Sequence, residues 1–139
     1  MLHWYTSCIY KSFEKGVCEL ILQQKRIVIV DDLQTLALLL KELLEAKGYT
    51  VVVHDNPILA LREILINGAS LVISDYNMPF MNGIELLQKV KKANPHIKQI
   101  LITASKDSIV EYKEFMPIVE KTGNFYDVII CTVNKLLLN

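Results

Sequence analysis

From Arg26 to Leu138, two kinds of apolar pattern alternate along the chain. Arg26-Ile27-Val28-Ile29-Val30 is a short, continuous β-branched run, as expected of a strand buried on both faces. From about Leu33 to Ala46 the apolar residues recur at helical spacing. Leu36, Leu39, Leu40, Leu43 and Leu44 form one stripe, and Gly48 supplies the stop. Thr50-Val51-Val52-Val53 reads as a second strand. Asn56-Pro57 reads as an N-cap followed by proline at the first helical position, opening a helix that Asn67-Gly68 ends. Leu71-Val72-Ile73-Ser74 predicts a third strand, Ile84 to Lys92 a third helix, and Ile100-Leu101-Ile102 a fourth strand. A short helical stretch from Ser108 to Met116, a strand stub at Ile118-Val119 and a last helix from about Phe125 to Leu138 complete the series. Five strands alternating with helices imply an α/β fold, a parallel sheet covered on both faces, because parallel strands need crossovers.

Residues 1–24 stand outside this alternation. Tyr5, Ile9, Phe13, Val17 and Leu20 recur at three- or four-residue spacing, which fits an added amphipathic helix interrupted by Gly16. A frayed tail fits the same residues equally well. The last helix carries Phe125, Tyr126, Ile129, Ile130, Val133, Leu136 and Leu137 on an arc of roughly 140°, wider than the ~100° stripe of a core-facing helix. The N-terminal extension or a second copy of the chain, forming a homodimer, is the expected cover for it.

Composition narrows the class. The 139 residues are 52% hydrophobic and 22% charged, enough apolar content for one domain with a real core and too much for disorder. Fifteen basic and 15 acidic residues leave no net charge, which argues against broad nucleic-acid or anionic-membrane binding. No apolar run approaches the ~18 residues of a membrane span, and Lys11, Glu14 and Lys15 interrupt any secretory signal. Three cysteines, an odd number, fit reduced thiols in the cytoplasm. Cys8, Cys18 and His3 lack a fourth zinc ligand at short spacing, and His54 and His96 fit solvent-exposed turns.

The candidate chemistry lies at strand C-termini, where open α/β sheets bind ligands. Asp31 and Asp32 end the first strand and Asp75 follows the third, so three carboxylates are expected to converge. Such a cluster resists ionisation unless a cation neutralises it, and hard oxygen ligands suit Mg²⁺. Thr103 and Lys121 end the fourth and fifth strands. A hydroxyl and an ammonium beside a metal-carboxylate cluster suit a phosphoryl oxygen.

Val30-Asp31-Asp32, the stretch Asp75-Tyr76-Asn77-Met78-Pro79-Phe80-Met81-Asn82-Gly83, Ile102-Thr103-Ala104 and Lys121 together resemble the receiver domain of two-component response regulators. The resemblance covers residues 25–139 as a receiver domain and leaves 1–24 as an N-terminal extension. It implies a doubly wound, flavodoxin-like five-stranded sheet of order 2-1-3-4-5. It further implies that Asp75 accepts a phosphoryl group from a histidine kinase or phosphorelay partner. Asp31, Asp32, Asp75 and the Asn77 backbone carbonyl would hold Mg²⁺, with Thr103 and Lys121 on the phosphoryl group. Asn77 and Ser105 resemble positions that tune hydrolysis of the phosphoryl group, and ordinary loop polarity fits both equally well. A carboxylate is a workable nucleophile for this transfer, in which positioning and charge neutralisation supply most of the catalysis. Pro79 and Gly83 are expected to shape the loop after Asp75, glycine by allowing a tight turn.

Three features depart from the family pattern. Thr122-Gly123 stands where a proline, often cis, follows the lysine; without it a cis bond costs ~3 kcal/mol, so trans geometry is expected. Ile118 occupies the place of an aromatic switch residue, for which Tyr112, Phe115 or Tyr126 are the possible substitutes. Thr103 to Lys121 is shorter than the family spacing by roughly 4 residues, about one helical turn, so the fourth helix should be short or distorted. With 139 residues no output domain is expected, and signalling would pass through an unidentified output protein. Two other readings remain. One is a degenerate receiver that binds partners without phosphorylation. The other is a Mg²⁺-dependent aspartyl phosphohydrolase of the haloacid-dehalogenase-like kind, whose Asp-x-Asp after the first strand is missing here.

Overall fold

The structure, a computed structural model, describes residues 25–138. Five strands, β1 (Arg26–Val30), β2 (Thr50–His54), β3 (Leu71–Asp75), β4 (Lys98–Thr103) and β5 (Ile118–Glu120), alternate with four α-helices. These are α1 (Gln34–Ala46), α2 (Pro57–Asn67), α3 (Gly83–Ala93) and α4 (Phe125–Leu138), and a 3₁₀ segment, Lys106–Tyr112, joins β4 to β5. All strand pairs are parallel and the sheet order is β2-β1-β3-β4-β5, as the resemblance implied.

Alternation along each strand divides the core into two layers. Ile27, Ile29, Leu71, Ile73, Ile100 and Ile102 face α1 and α4; Val28, Val30, Val72 and Leu101 face α2, α3 and the 3₁₀ segment. Burial on both faces is why these strands read as unbroken apolar runs. Asn56 caps α2, its Oδ1 accepting from Ile58 N–H at 2.9 Å and Leu59 N–H at 3.3 Å. Asn82 caps α3, its Oδ1 accepting from Glu85 N–H at 2.9 Å, while its side-chain amide donates to the Glu85 carboxylate at 3.4 Å.

Several expectations shift in detail. On α1 the core face is Ala37, Leu40 and Leu44, with Leu36 partly packed, and Leu39 is exposed. At 100° per residue Leu39 falls well outside the arc of Ala37, Leu40 and Leu44, which is why it faces outward. The stretch before β5 is 3₁₀, and at Ile109 (φ −135°, ψ 21°) the backbone leaves helical geometry while the side chain plugs the core. His54 is no exposed turn residue: it ends β2, half-buried, with Nε2 3.5 Å from Glu63, and burial followed by the nearby Arg26 lowers its pKa. On α4, Phe125, Ile129 and Val133 are buried and Tyr126, Ile130, Leu136 and Leu137 pack around them, so the core occupies most of the wide arc. Among the described residues no helix is long and apolar enough to cross a membrane. The expected N-terminal helix, and Cys8, Cys18 and His3 with it, lie outside the described residues.

Candidate functional site

Asp31, Asp32 and Asp75 each offer a carboxylate oxygen within 4.8 Å of the other two. Adjacent parallel strands create this convergence, because β1 and β3 pair directly and both end at the same edge of the sheet. Asp31 is fully buried, Asp75 nearly so, and Asp32 is exposed at the mouth. Asp31 Oδ1 accepts from Leu33 N–H at 2.9 Å, which fixes the carboxylate at the entry to α1. Its other oxygen, Oδ2, is buried without a hydrogen-bond donor. Lys121 Nζ lies 3.6 Å from that oxygen, in ion-pair range, and 3.0 Å from Asp75 Oδ1.

Burial dominates the electrostatics. It pushes the Asp31 carboxyl up to about 6, against the opposing pull of the Leu33 N–H; Asp75 pushes the same way as burial. Burial also raises the Asp75 pKa, opposed chiefly by the Lys121 ammonium. One lysine therefore offsets only part of the charge of three acids. Asp31 Oδ2, which accepts no hydrogen bond, and the clustered hard oxygens fit a small divalent cation such as Mg²⁺.

Thr103, at the end of β4, is buried, and its hydroxyl donates to the Ser105 carbonyl at 3.0 Å while accepting from Ser105 N–H at 3.2 Å. Lys121 reaches the acids because its N–H donates to Thr103 O at 2.8 Å, continuing the β4–β5 ladder past Glu120. The chain then turns without a proline: Thr122 N–H donates to Glu120 O at 2.8 Å and Phe125 N–H to Thr122 O at 3.1 Å. No peptide bond is cis among the described residues, which agrees with the expected trans geometry after Lys121. Asn77 and Ser105 have exposed side chains. Ile118 packs on the α2/α3 side with Tyr112, whereas Tyr126 packs on the opposite face and Phe115 is exposed.

Two features of the Asp75 loop escape sequence reading. Gly83 serves close approach rather than a turn of unusual φ: a Cβ there would sit 2.2 Å from Asp75 O and 2.8 Å from Leu101 Cδ1. The left-handed residue is Phe80, at φ 74°. A glycine eight residues after the acid was the available signal for the first; none marked the second.

The family model for the response regulator receiver domain matches residues 27–117. The chain belongs to the response regulator receiver family. The receiver is 34% identical over 95 residues to sporulation initiation phosphotransferase F of Bacillus subtilis, covering 67% of this chain and 77% of that protein. It is also 34% identical over 91 residues to the transcriptional regulatory protein RprY of Bacteroides fragilis, covering 64% of this chain but only 39% of RprY. The response regulator protein TrrA of Thermotoga maritima, solved in complex with Mg²⁺ and BeF, superposes with a TM-score of 0.74 at 34% identity. That match covers 81% of this chain and 99% of TrrA. Receivers are signalling phosphoacceptors rather than turnover enzymes. The matched segment stops just before Ile118, so β5, Lys121 and α4 lie beyond it.

Proposed function

We propose that residues 25–139 form a phosphoacceptor receiver, preceded by an extension at 1–24, that takes a phosphoryl group on Asp75 from a phosphohistidine of a histidine kinase or phosphotransfer protein. In that transfer an Asp75 carboxylate oxygen forms the new P–O bond as the P–N bond breaks, and the electron pair returns to the histidine nitrogen. The observation that carries the reading is Lys121 Nζ 3.0 Å from Asp75 Oδ1 inside a cluster of three carboxylates. The ammonium is placed to offset charge that develops on the phosphoryl oxygens. Mg²⁺, held by Asp31, Asp32, Asp75 and the Asn77 carbonyl, would supply charge neutralisation and orient the phosphoryl oxygens. Thr103 would donate its hydroxyl to the phosphoryl group by releasing Ser105 O, and Asn77 and Ser105 would set the rate at which water removes the group. Ile118 stands at the switch position, where a side chain without a ring must communicate by packing rather than by ring rotation. The partners in this reading are the phosphodonor and an output protein, and the compartment is the cytoplasm.

Incubation with acetyl phosphate and Mg²⁺ tests it by intact mass. Wild type should gain one phosphoryl group and Asp75→Asn none. Equal modification of Asp75→Asn refutes the assignment, and an unmodified wild type favours a binding module that works without phosphorylation.

A further inference from the structure

Among the described residues, α2 rather than α4 presents four exposed large apolar side chains. Ile58, Leu59, Leu65 and Ile66 are 51%, 55%, 55% and 70% exposed. At 100° per residue they share one outward stripe, opposite Ala60 and Ile64, with Arg62 as the charge in its middle. Within α1 only two leucines, Leu38 and Leu39, are exposed, half the number of large apolar side chains that α2 presents. Four large apolar side chains exposed around a single charge suit a binding surface.

The chain itself delivers an occupant to this place. Arg26, the first residue of β1, pairs through its guanidinium with Glu63 and the Gly68 carbonyl, and its N–H donates to Ser70 Oγ at 3.3 Å. Glu63 lies one helical turn from both Leu59 and Ile66, so Arg26 stands at the flank of the stripe, near the C-terminal end of α2, and the preceding chain joins there. Six residues, Glu19 to Gln24, reach ~20 Å when extended, which exceeds the ~10–12 Å thickness of a helix. Tyr5, Ile9, Phe13 and Val17 fall on one face of a helical wheel. As a helix, the stretch from Tyr5 to Val17 would be about 20 Å long, against about 16 Å for the 11 residues of α2.

We infer that residues 5–17 dock as an amphipathic helix on the outer face of α2, Tyr5, Ile9, Phe13 and Val17 meeting Ile58, Leu59, Leu65 and Ile66. The docked segment makes a third layer on the α2 side of the sheet and leaves α4 free.

Brief chymotrypsin digestion of the full chain, followed by intact mass, tests the docking at Tyr5, Tyr10 and Phe13. The comparison protein carries Leu59→Glu and Ile66→Glu, two exposed positions whose replacement leaves the core untouched. Because cleavage tracks the population of the open form, the variant should be cut about tenfold faster than wild type. The wild-type rate should not change with protein concentration. Equal rates in the two proteins overturn the inference. Protection of wild type that appears only as concentration rises overturns it too, and assigns the stripe to a second copy of the chain.

Discussion

Replacing Asp31 by asparagine should stabilise the metal-free protein at neutral pH. Asp31 is fully buried, and its carboxyl has moved from 3.8 to about 6, with burial the largest cause. The folded state therefore holds this proton more tightly than the unfolded chain. That contribution falls as pH rises from about 4 to about 6 and then stays at its lowest level. The displacement costs the folded protein about 3 kcal/mol at pH 7.5 and about 1.5 kcal/mol at pH 5, relative to a neutral group in the same place. Asparagine keeps an oxygen for Leu33 N–H and removes the buried charge, at the expense of the 3.6 Å contact between Lys121 and Oδ2. Urea unfolding in EDTA at both pH values measures the difference between variant and wild type. That difference should favour the variant by up to about 3 kcal/mol at pH 7.5 and about half as much at pH 5. Mg²⁺ at 1,000 times its Kd should reverse the ranking, since a ligand at that level stabilises the protein that binds it by ~4.1 kcal/mol. A metal-free variant less stable than wild type at pH 7.5 would refute the reasoning, because Asp31 would then be a satisfied charge.

Gly83→Ala should destabilise by roughly 1–3 kcal/mol and slow phosphorylation by acetyl phosphate. The new Cβ meets the Asp75 carbonyl, which cannot move without shifting the acid. Asn56→Ala should cost ~1 kcal/mol in urea unfolding, by removing the oxygen that accepts from Ile58 and Leu59 N–H, and should leave phosphorylation unchanged.

Much of the architecture was legible because burial on both faces of β1, β3 and β4 demands continuous apolar runs, and such runs cannot be mistaken for amphipathic helices of that length. The convergence of Asp31, Asp32 and Asp75 followed from parallel strand ends alone. The crossover before β5 was harder. Ile109 and Met116 sit seven residues apart, which looks helical, yet Ile109 reaches the core through a non-helical backbone. His54 was misread because its partner Glu63 lies on another element and leaves no trace in local spacing. Leu33 N–H, which anchors Asp31, is a backbone donor that any residue could supply.

The departures near Lys121 leave the acidic cluster intact for a reason visible in the ladder. Lys121 is positioned from behind, by Thr103↔Glu120 pairing and by its own N–H on Thr103 O, rather than by the residue that follows it. Losing a proline at position 122 changes how the chain leaves β5 and not where the ammonium arrives, 3.0 Å from Asp75. The shortened crossover is absorbed in the same way: Ile109 and Met116 anchor the stretch between β4 and β5 in the core while Val110 and Phe115 turn outward. Strand register thus governs the chemistry, and the crossover governs the surface beside it. Selection could remodel that surface, ring and helix included, without moving the acids or the lysine.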